Sequence, residues 1–251
     1  MSESLLAVLD DGSNESAALA AALQLPLLPA GQSADYFLQR DNGQLQLQPA
    51  DSRRGGALRV DFSDPRRLYR LKQSGIRQDL PRAVGCKPGY RPDVLDATAG
   101  LAVDAFVLAG LGCQVSLLEQ HPVVYALLAD GLRVAKQQAD EALRPVLDRM
   151  TLMPRQNALD YLCQETRHET VYLDPMFAAR TSSAKVKKAM QYLHDIAGYQ
   201  PAQEAELLHC ARQRATKRVV VKRALLAECL AGQAADFQVK GKTIRYDVYL
   251  V

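Results

Sequence analysis

From Pro92 onward the chain alternates short apolar runs with helical patterns, and that rhythm restricts its fold more than any other feature. Strands are expected at residues 94–97, 114–119, 150–153, 170–174 and 218–222, and helices at 104–111, 123–138, 157–164, 184–197 and 203–214. A strand buried on both faces has no polar side to alternate with. Most of these runs are continuously apolar, as a parallel sheet covered by helices on both faces requires. The end of the chain differs: residues 236–240, a turn at Gly241 and residues 243–250 form a β-hairpin pattern. The expected fold is α/β, a Rossmann-like seven-stranded sheet with a C-terminal antiparallel hairpin.

Residues 1–62 have another texture and are expected to form a small α+β N-terminal unit. It would comprise a strand at 5–9, an Ala-rich helix at 15–23 and strands at 36–39, 45–48 and 58–62, with Asn42-Gly43 as a hairpin turn. Residues 63–92 carry Arg66, Arg67, Arg70, Lys72, Arg77, Arg82 and Lys87 and read as a basic, partly helical connector before the main domain at 93–251.

A chain of 251 residues with 48% hydrophobic content can bury a substantial core, and 24% charged residues argue against global disorder. The five cysteines contain no Cys-x-x-Cys pair, which suits reduced thiols. The first residues lack the basic start and long apolar run of a signal peptide, and no run is long enough to span a bilayer, so a cytoplasmic location is expected. His121, His168, His194 and His209 have no ligand-like spacing, so no metal site is expected.

The segment Val94-Leu-Asp-Ala-Thr-Ala-Gly-Leu-Ala-Val-Asp104 reads as a buried strand, a glycine turn and a helix that begins with a carboxylate. Glu119 closes the next strand, where an acid can hold a ribose diol. The glycine fingerprint of a nicotinamide site is missing, since only Gly100 is present and Ala102 and Ala105 occupy the later small-residue positions. Asp96, at the junction of strand and loop, suits a ligand with a positive amino group better than a pyrophosphate. S-adenosylmethionine carries both an ammonium and a sulfonium, and Asp96, Gly100, Asp104 and Glu119 together point to it. Glycine at such a bend is common in any parallel α/β protein, so Gly100 alone would carry little.

The run Val171-Tyr-Leu-Asp-Pro-Met-Phe177 breaks at Asp174-Pro175 before an aromatic. A carboxylate followed by a rigid turn can accept a hydrogen bond from an exocyclic amine, and Phe177 can stack on the base that bears it. Such an amine needs its lone pair oriented toward a methyl group, and its proton can leave afterwards, so no strong general base is required. Arg180, Lys185, Lys187 and Lys188 follow this loop, and Lys222 and Arg223 end the next strand. These are candidate phosphate contacts for a nucleic acid, with a solvated lysine face as the plainer alternative for the first group.

These blocks, with Leu118-Glu119, Pro122-Val-Val124, Val186-Lys-Lys-x-Met190 and Thr216-Lys-Arg-Val-Val-Val-Lys-Arg223, resemble the bacterial 16S ribosomal RNA guanine-N2 methyltransferases of the RsmJ type. The resemblance runs from about Ala83 to the C-terminus, and the Asp-Pro-Met-Phe block is its most specific part. It implies a class I methyltransferase fold over 93–251, S-adenosylmethionine as donor, and a guanine of 16S ribosomal RNA or the small ribosomal subunit as acceptor. By position, it implies cofactor contacts at Val103, Asp104, Glu119, Gln120, Gln156, Asn157 and Asp174, with Glu119 on the ribose hydroxyls and Asp174 between cofactor and target amine; the chemistry of the loop adds the Pro175 carbonyl and Phe177 as amine acceptor and stacking surface. The family usually has Gly-Leu-Gly-Arg-Asp where this chain has Gly100-Leu-Ala-Val-Asp104, which implies weaker cofactor affinity. The alternatives are an adenine-N6 nucleic-acid methyltransferase, or a ribosome-assembly RNA-binding protein without turnover.

Overall fold

The computed structural model of the chain describes residues 5–164, 167–175, 192 and 203–251. The strands are β1 (Leu6–Asp10), β2 (Leu27–Pro29), β3 (Tyr36–Asp41), β4 (Gln44–Pro49), β5 (Asp93–Asp96), β6 (Gln114–Leu117), β7 (Met150–Leu152), β8 (His168–Leu173), β9 (Ala215–Ala224), β10 (Phe237–Lys240) and β11 (Ile244–Leu250). The described helices are α1 (Asn14–Leu23), α2 (Pro65–Gln73), α3 (Asp79–Val84), α4 (Val103–Gly110), α5 (Pro122–Gln138), α6 (Arg144–Asp148), α7 (Ala158–Leu162) and α8 (Glu204–Arg214). The chain forms two compact units that interleave in sequence: Met1–Asp61 with His121–Val134 and Met176–Tyr199, and Phe62–Gln120 with Ala135–Pro175 and Gln200–Val251. The stretch read as a connector therefore lies within the second unit, where it supplies α2 and α3.

The first unit holds a four-stranded sheet in the order β2-β1-β3-β4. β1 runs parallel to both neighbours, while β3 and β4 form an antiparallel hairpin. Asn42 (φ 49°) and Gly43 (φ 77°) turn that hairpin. Both are left-handed, as the tight two-residue turn that matches strand twist demands. In α5, Asp130 has only 5% of its side chain exposed. It accepts hydrogen bonds from the Leu45 amide at 2.7 Å, Arg40 at 2.8 Å and Arg133 at 2.8 Å, so the buried charge is fully partnered. The strand expected at 58–62 is not formed: only Leu58 bridges, to Leu47. Leu58 and Val60 are buried like a strand, but the Val60 carbonyl accepts from the Gln44 side chain instead of extending a ladder.

The second unit holds a seven-stranded sheet in the order β10-β11-β9-β8-β5-β6-β7. β5, β6, β7, β8 and β9 pair in parallel, and β11 is antiparallel to both β9 and β10. This is the α/β sheet with a terminal hairpin that the alternation of apolar runs predicts. Leu95, Val171, Val219, Val221, Leu208 and Tyr249 meet in a core on one side of the sheet. Each buried aliphatic side chain contributes about 1.5–3 kcal/mol relative to exposure. The chain leaves β5 outward through β6 to β7, then returns to pair β8 on the other side of β5. Reversal of this kind opens a crevice at the carboxyl ends of the central strands, where open α/β sheets bind ligands.

The opposite end of the sheet is tied by polar contacts. His168 Nδ1 lies 2.9 Å from Asp93 Oδ2, and its Nε2 lies 3.0 Å from the Tyr161 hydroxyl. Sequence spacing assigned His168 no role; its place is structural. Glu169 accepts from Tyr90 at 2.6 Å, Lys217 at 2.6 Å and the Asp93 amide at 3.0 Å. Hydrogen bonds from Lys217 and Tyr90 draw its carboxyl down from 4.5 to about 2. A carboxylate depressed by folding stabilises above its unfolded value and loses that contribution as pH falls through the folded one. Glu169→Gln is therefore expected to lower stability at pH 7, with the gap to wild type closing between about pH 4.5 and 2. Urea unfolding at pH 7 and pH 3 checks this; a gap that stays constant would contradict it.

Candidate functional site

β5 ends at Asp96, and the chain turns through Gly100 and Ala102 into α4, whose first turn carries Asp104. Gly100 (φ 51°) and Ala102 (φ 54°) are both left-handed. A Cβ at Gly100 would meet only the Thr98 carbonyl, at 3.9 Å, so conformation rather than crowding explains this glycine. The Gly100 amide donates to Glu119 Oε2 at 2.9 Å, and the Thr98 amide to Asp96 Oδ1 at 3.2 Å. The acid that follows β6 thus clasps the turn that follows β5.

Beside this turn lies a cluster of buried charge. Lys222 Nζ sits between Asp104 Oδ2 at 2.8 Å and Asp174 Oδ2 at 2.6 Å. Arg70 Nη2 donates to Asp104 Oδ1 at 2.6 Å, and the Tyr172 hydroxyl to Asp104 Oδ2 at 2.8 Å. The Asp174 amide donates to Thr98 Oγ1 at 2.6 Å, which fixes the end of β8 against the loop after β5.

The titration of these groups follows from their surroundings. Burial pushes the Asp96 carboxyl well up, and the neighbouring Asp104 and Asp174 add to that. Burial would also raise Asp104, but Lys222 and Arg70 overcome it and hold that carboxyl below the usual range. Asp174 is raised by burial, which Lys222 opposes. Burial would lower the Lys222 ammonium, yet Asp174 and Asp104 drive it upward and keep it charged.

These residues fit a cationic nucleoside donor. Carboxylates ring the turn, an acid stands at the end of β6 for a diol, and the turn presents backbone where a nucleoside can approach. Asp96, Gly100, Asp104, Glu119 and Asp174 are gathered at the carboxyl ends of β5, β6 and β8. Val103 opens α4 and is 39% exposed. The Gln120 carbonyl accepts from Arg155 at 3.3 Å, and Asn157 Oδ1 caps α7 through the Leu159 amide at 2.8 Å. Gln156 is half-buried in the loop after β7, and Pro175 follows Asp174 directly. Phe177, Arg180, Lys185, Lys187 and Lys188 lie outside the described residues.

Lys222 and Arg223 correct the expectation of phosphate contacts at the end of β9. Lys222 is taken up by Asp104 and Asp174. Arg223 is 7% exposed, donates to the Glu228 carbonyl at 2.8 Å and faces Glu204 at 3.9 Å. Adjacent strand residues point to opposite faces, so one cation enters the acid cluster and the other the far side of the sheet. Sequence reasoning also missed Thr98, Tyr172 and Arg70. Strand alternation could have found Tyr172, two residues before Asp174 and therefore on its side of the sheet. No spacing rule links Arg70 to Asp104. Among the described residues no group of His, Cys, Asp and Glu is arranged to hold a metal ion.

Two outcomes are expected from this geometry. Ala102 is fully buried in a left-handed conformation that costs an L-residue about 1–2 kcal/mol. Relief of that strain offsets the extra chain entropy of glycine and the lost burial of the methyl, so Ala102→Gly should leave stability within about 0.5 kcal/mol of wild type, read by thermal or urea unfolding. A loss above about 1.5 kcal/mol, the sum of methyl burial and glycine entropy at an unstrained alanine, would refute the strain. Lys222→Met should cost about 3 kcal/mol at pH 7, because it takes the ammonium from buried Asp104 and half-buried Asp174. The loss should shrink as pH falls and those carboxyls protonate; a loss independent of pH would count against the pairing.

Known proteins resemble this chain over most of its length. The family described as putative SAM-dependent methyltransferase matches residues 18–251. Ribosomal RNA small subunit methyltransferase J of Pseudomonas syringae pv. tomato is 43% identical over 95% of this chain and 88% of its own length. The protein of the same name from Dechloromonas aromatica is 44% identical over 93% of this chain and 95% of its own. The crystal structure of a SAM-dependent methyltransferase from Neisseria gonorrhoeae superposes with a TM-score of 0.72 at 33% identity, covering 98% of this chain and 95% of that one. The chain belongs to the SAM-dependent methyltransferase family, alongside the relatives called ribosomal RNA small subunit methyltransferase J.

Proposed function

We propose that this protein transfers a methyl group from S-adenosylmethionine to the exocyclic N2 amine of a guanine in 16S ribosomal RNA, acting on that RNA or on the small ribosomal subunit in the cytoplasm. The observation that carries the reading is the convergence of Asp96, Asp104, Glu119 and Asp174 at one end of the sheet, around a glycine turn. When bound, the cofactor supplies an electrophilic methyl on a sulfonium. Asp96, Gly100, Val103, Asp104, Glu119, Gln120, Gln156, Asn157 and Asp174 would hold it, with Glu119 for the ribose hydroxyls.

Asp174 has the orienting role. Lys222 holds its Oδ2, and Thr98 holds its backbone amide. Oδ1 then serves as acceptor for the target amine, with the Pro175 carbonyl as a second acceptor and Phe177 as the stacking surface for the base. The lone pair of the amine is directed by these acceptors, and its proton leaves to solvent after transfer. Orientation rather than basicity is the contribution, because an arylamine on a purine is itself a weak base.

The test uses the protein with methyl-labelled S-adenosylmethionine and small subunits from cells that lack this activity, followed by mass spectrometry of the ribosomal RNA nucleosides. N2-methylguanosine is the expected product. N6-methyladenosine would transfer the reading to the adenine class, and binding of the particle without label would make the protein a non-catalytic binder. Asp174→Ala should lower turnover at least about a hundredfold with the fold retained, since a misplaced acceptor costs that much. Asp174→Asn keeps an oxygen in place and should retain more activity than the alanine variant. Near-normal turnover of Asp174→Ala would sink the role given to this residue.

A further inference from the structure

Helix α2, Pro65-Arg-Arg-Leu-Tyr-Arg-Leu-Lys-Gln73, carries Arg66, Arg67, Arg70 and Lys72 and no acid within its nine residues. Its start is fixed by Asp64, whose side chain accepts from the Arg66 amide, and by Pro65 in the first turn. At about 100° per residue, Arg67, Leu68 and Leu71 share one face. That face is turned inward: Arg67 lies over the Phe62 ring at 5.1 Å and donates to the Leu101 carbonyl at 3.0 Å. Leu71 seats against Gly110 of α4, where a Cβ would collide with its Cδ1. The opposite face presents Lys72, Tyr69, Gln73, Arg66 and Arg70 in that angular order, all exposed. Tyr69 is 66% exposed, with a lysine on one flank and arginines on the other.

A basic helix face is ordinarily no more than a solvated surface. Three features set this one apart. The tyrosine is large, exposed and central to the cations. The cations have no acid on the helix to neutralise them, although Arg70 reaches Asp104. The helix is also anchored to the loop of the functional site itself, through Arg67 to Leu101 and Arg70 to Asp104. Cations that follow a backbone, interleaved with an aromatic ring that takes a base, are the elements of single-stranded nucleic-acid binding.

We propose that the exposed face of α2 binds the single-stranded RNA next to the target guanine, with Arg66 and Lys72 on phosphates and a base stacked on Tyr69. This rests on the reading of the protein as an RNA methyltransferase and adds the surface that holds its substrate. The exposed face lies across the helix from the Gly100–Asp104 turn, so an RNA strand on α2 is held one helix diameter, roughly 10 Å, from that turn.

The experiment measures binding of a fluorescent single-stranded RNA oligonucleotide by anisotropy across a salt series, and KM and kcat on small-subunit RNA. The double variant Arg66→Gln/Lys72→Gln should weaken oligonucleotide binding about tenfold and flatten the log–log salt slope by about 1.4, the value for two phosphate contacts on a single strand. Tyr69→Ala should weaken binding about tenfold, and Tyr69→Phe should restore it, because stacking needs the ring and not the hydroxyl. KM for RNA should rise in the weakened variants while calorimetric affinity for S-adenosylmethionine stays as in wild type. Unchanged oligonucleotide affinity and salt slope in the double variant and in Tyr69→Ala would overturn the proposal. Wild type that binds the oligonucleotide through α2 yet transfers no label would instead defeat the methyltransferase reading, so the two failures are distinguishable.

Discussion

Lys222 between Asp104 and Asp174 is the interaction on which the functional end of this fold depends. Asp96, Asp104 and Asp174 lie close enough that a charge on one disfavours ionisation of another, and like charges so near cannot all ionise without cations among them. The structure meets this in two ways. Lys222 and Arg70 keep Asp104 ionised, while burial holds Asp96 toward its neutral form. Tyr172 adds a hydroxyl from the strand below. Asp104 is the hub of this arrangement, because helix α2, strand β8 and strand β9 each send a side chain to it.

The parallel sheet makes such a hub possible. The strands from β5 to β9 end in one direction, so residues far apart in sequence arrive at one edge of the sheet: Asp96 from β5, Asp174 from β8, Lys222 from β9. The terminal hairpin covers the flank of β9, with β11 paired to it from Arg218 to Ala224. A lysine in that position is screened from water on the sheet side and spends its charge on the acids. The same alternation along β9 that aims Lys222 at the acids aims Arg223 at Glu204.

Much of this was legible in the sequence, and the limits have physical reasons. Continuous apolar runs announced the parallel strands, because burial on both faces removes polar alternation. Asn42-Gly43 announced the hairpin through its left-handed conformations. Asp96, Gly100, Asp104 and Glu119 could be grouped because each sits at the end of a strand or the start of a helix. The short β2 and α6 escaped notice: three and five residues are too few to show a period. Residues 58–62 alternate like a strand, yet alternation records burial and not pairing, and only Leu58 found a ladder partner. Lys222 and Arg223 looked like surface cations because sequence shows that a residue is charged, not what charge it meets after folding. Arg70 was beyond reach for the same reason.

Ala102 shows how the turn and the charge cluster bear on each other. The chain must pass through two left-handed residues, Gly100 and Ala102, to bring the start of α4 and its Asp104 back over the end of β5. Glycine accepts this freely; alanine accepts it at a cost, and is held there because its methyl is completely buried. The hydrogen bond from Gly100 to Glu119 and the ion pairs of Asp104 fix the two ends of the strained segment. A cation entering this site shares Asp104 and Asp174 with Lys222 and Arg70, so it gains only what those two side chains yield. Arg70, with almost half its side chain exposed and a single contact to Asp104, can yield more readily than the enclosed Lys222. The strain at Ala102 and the affinity of the site for a cationic donor are therefore linked through one residue, Asp104, which the turn positions and the two cations hold.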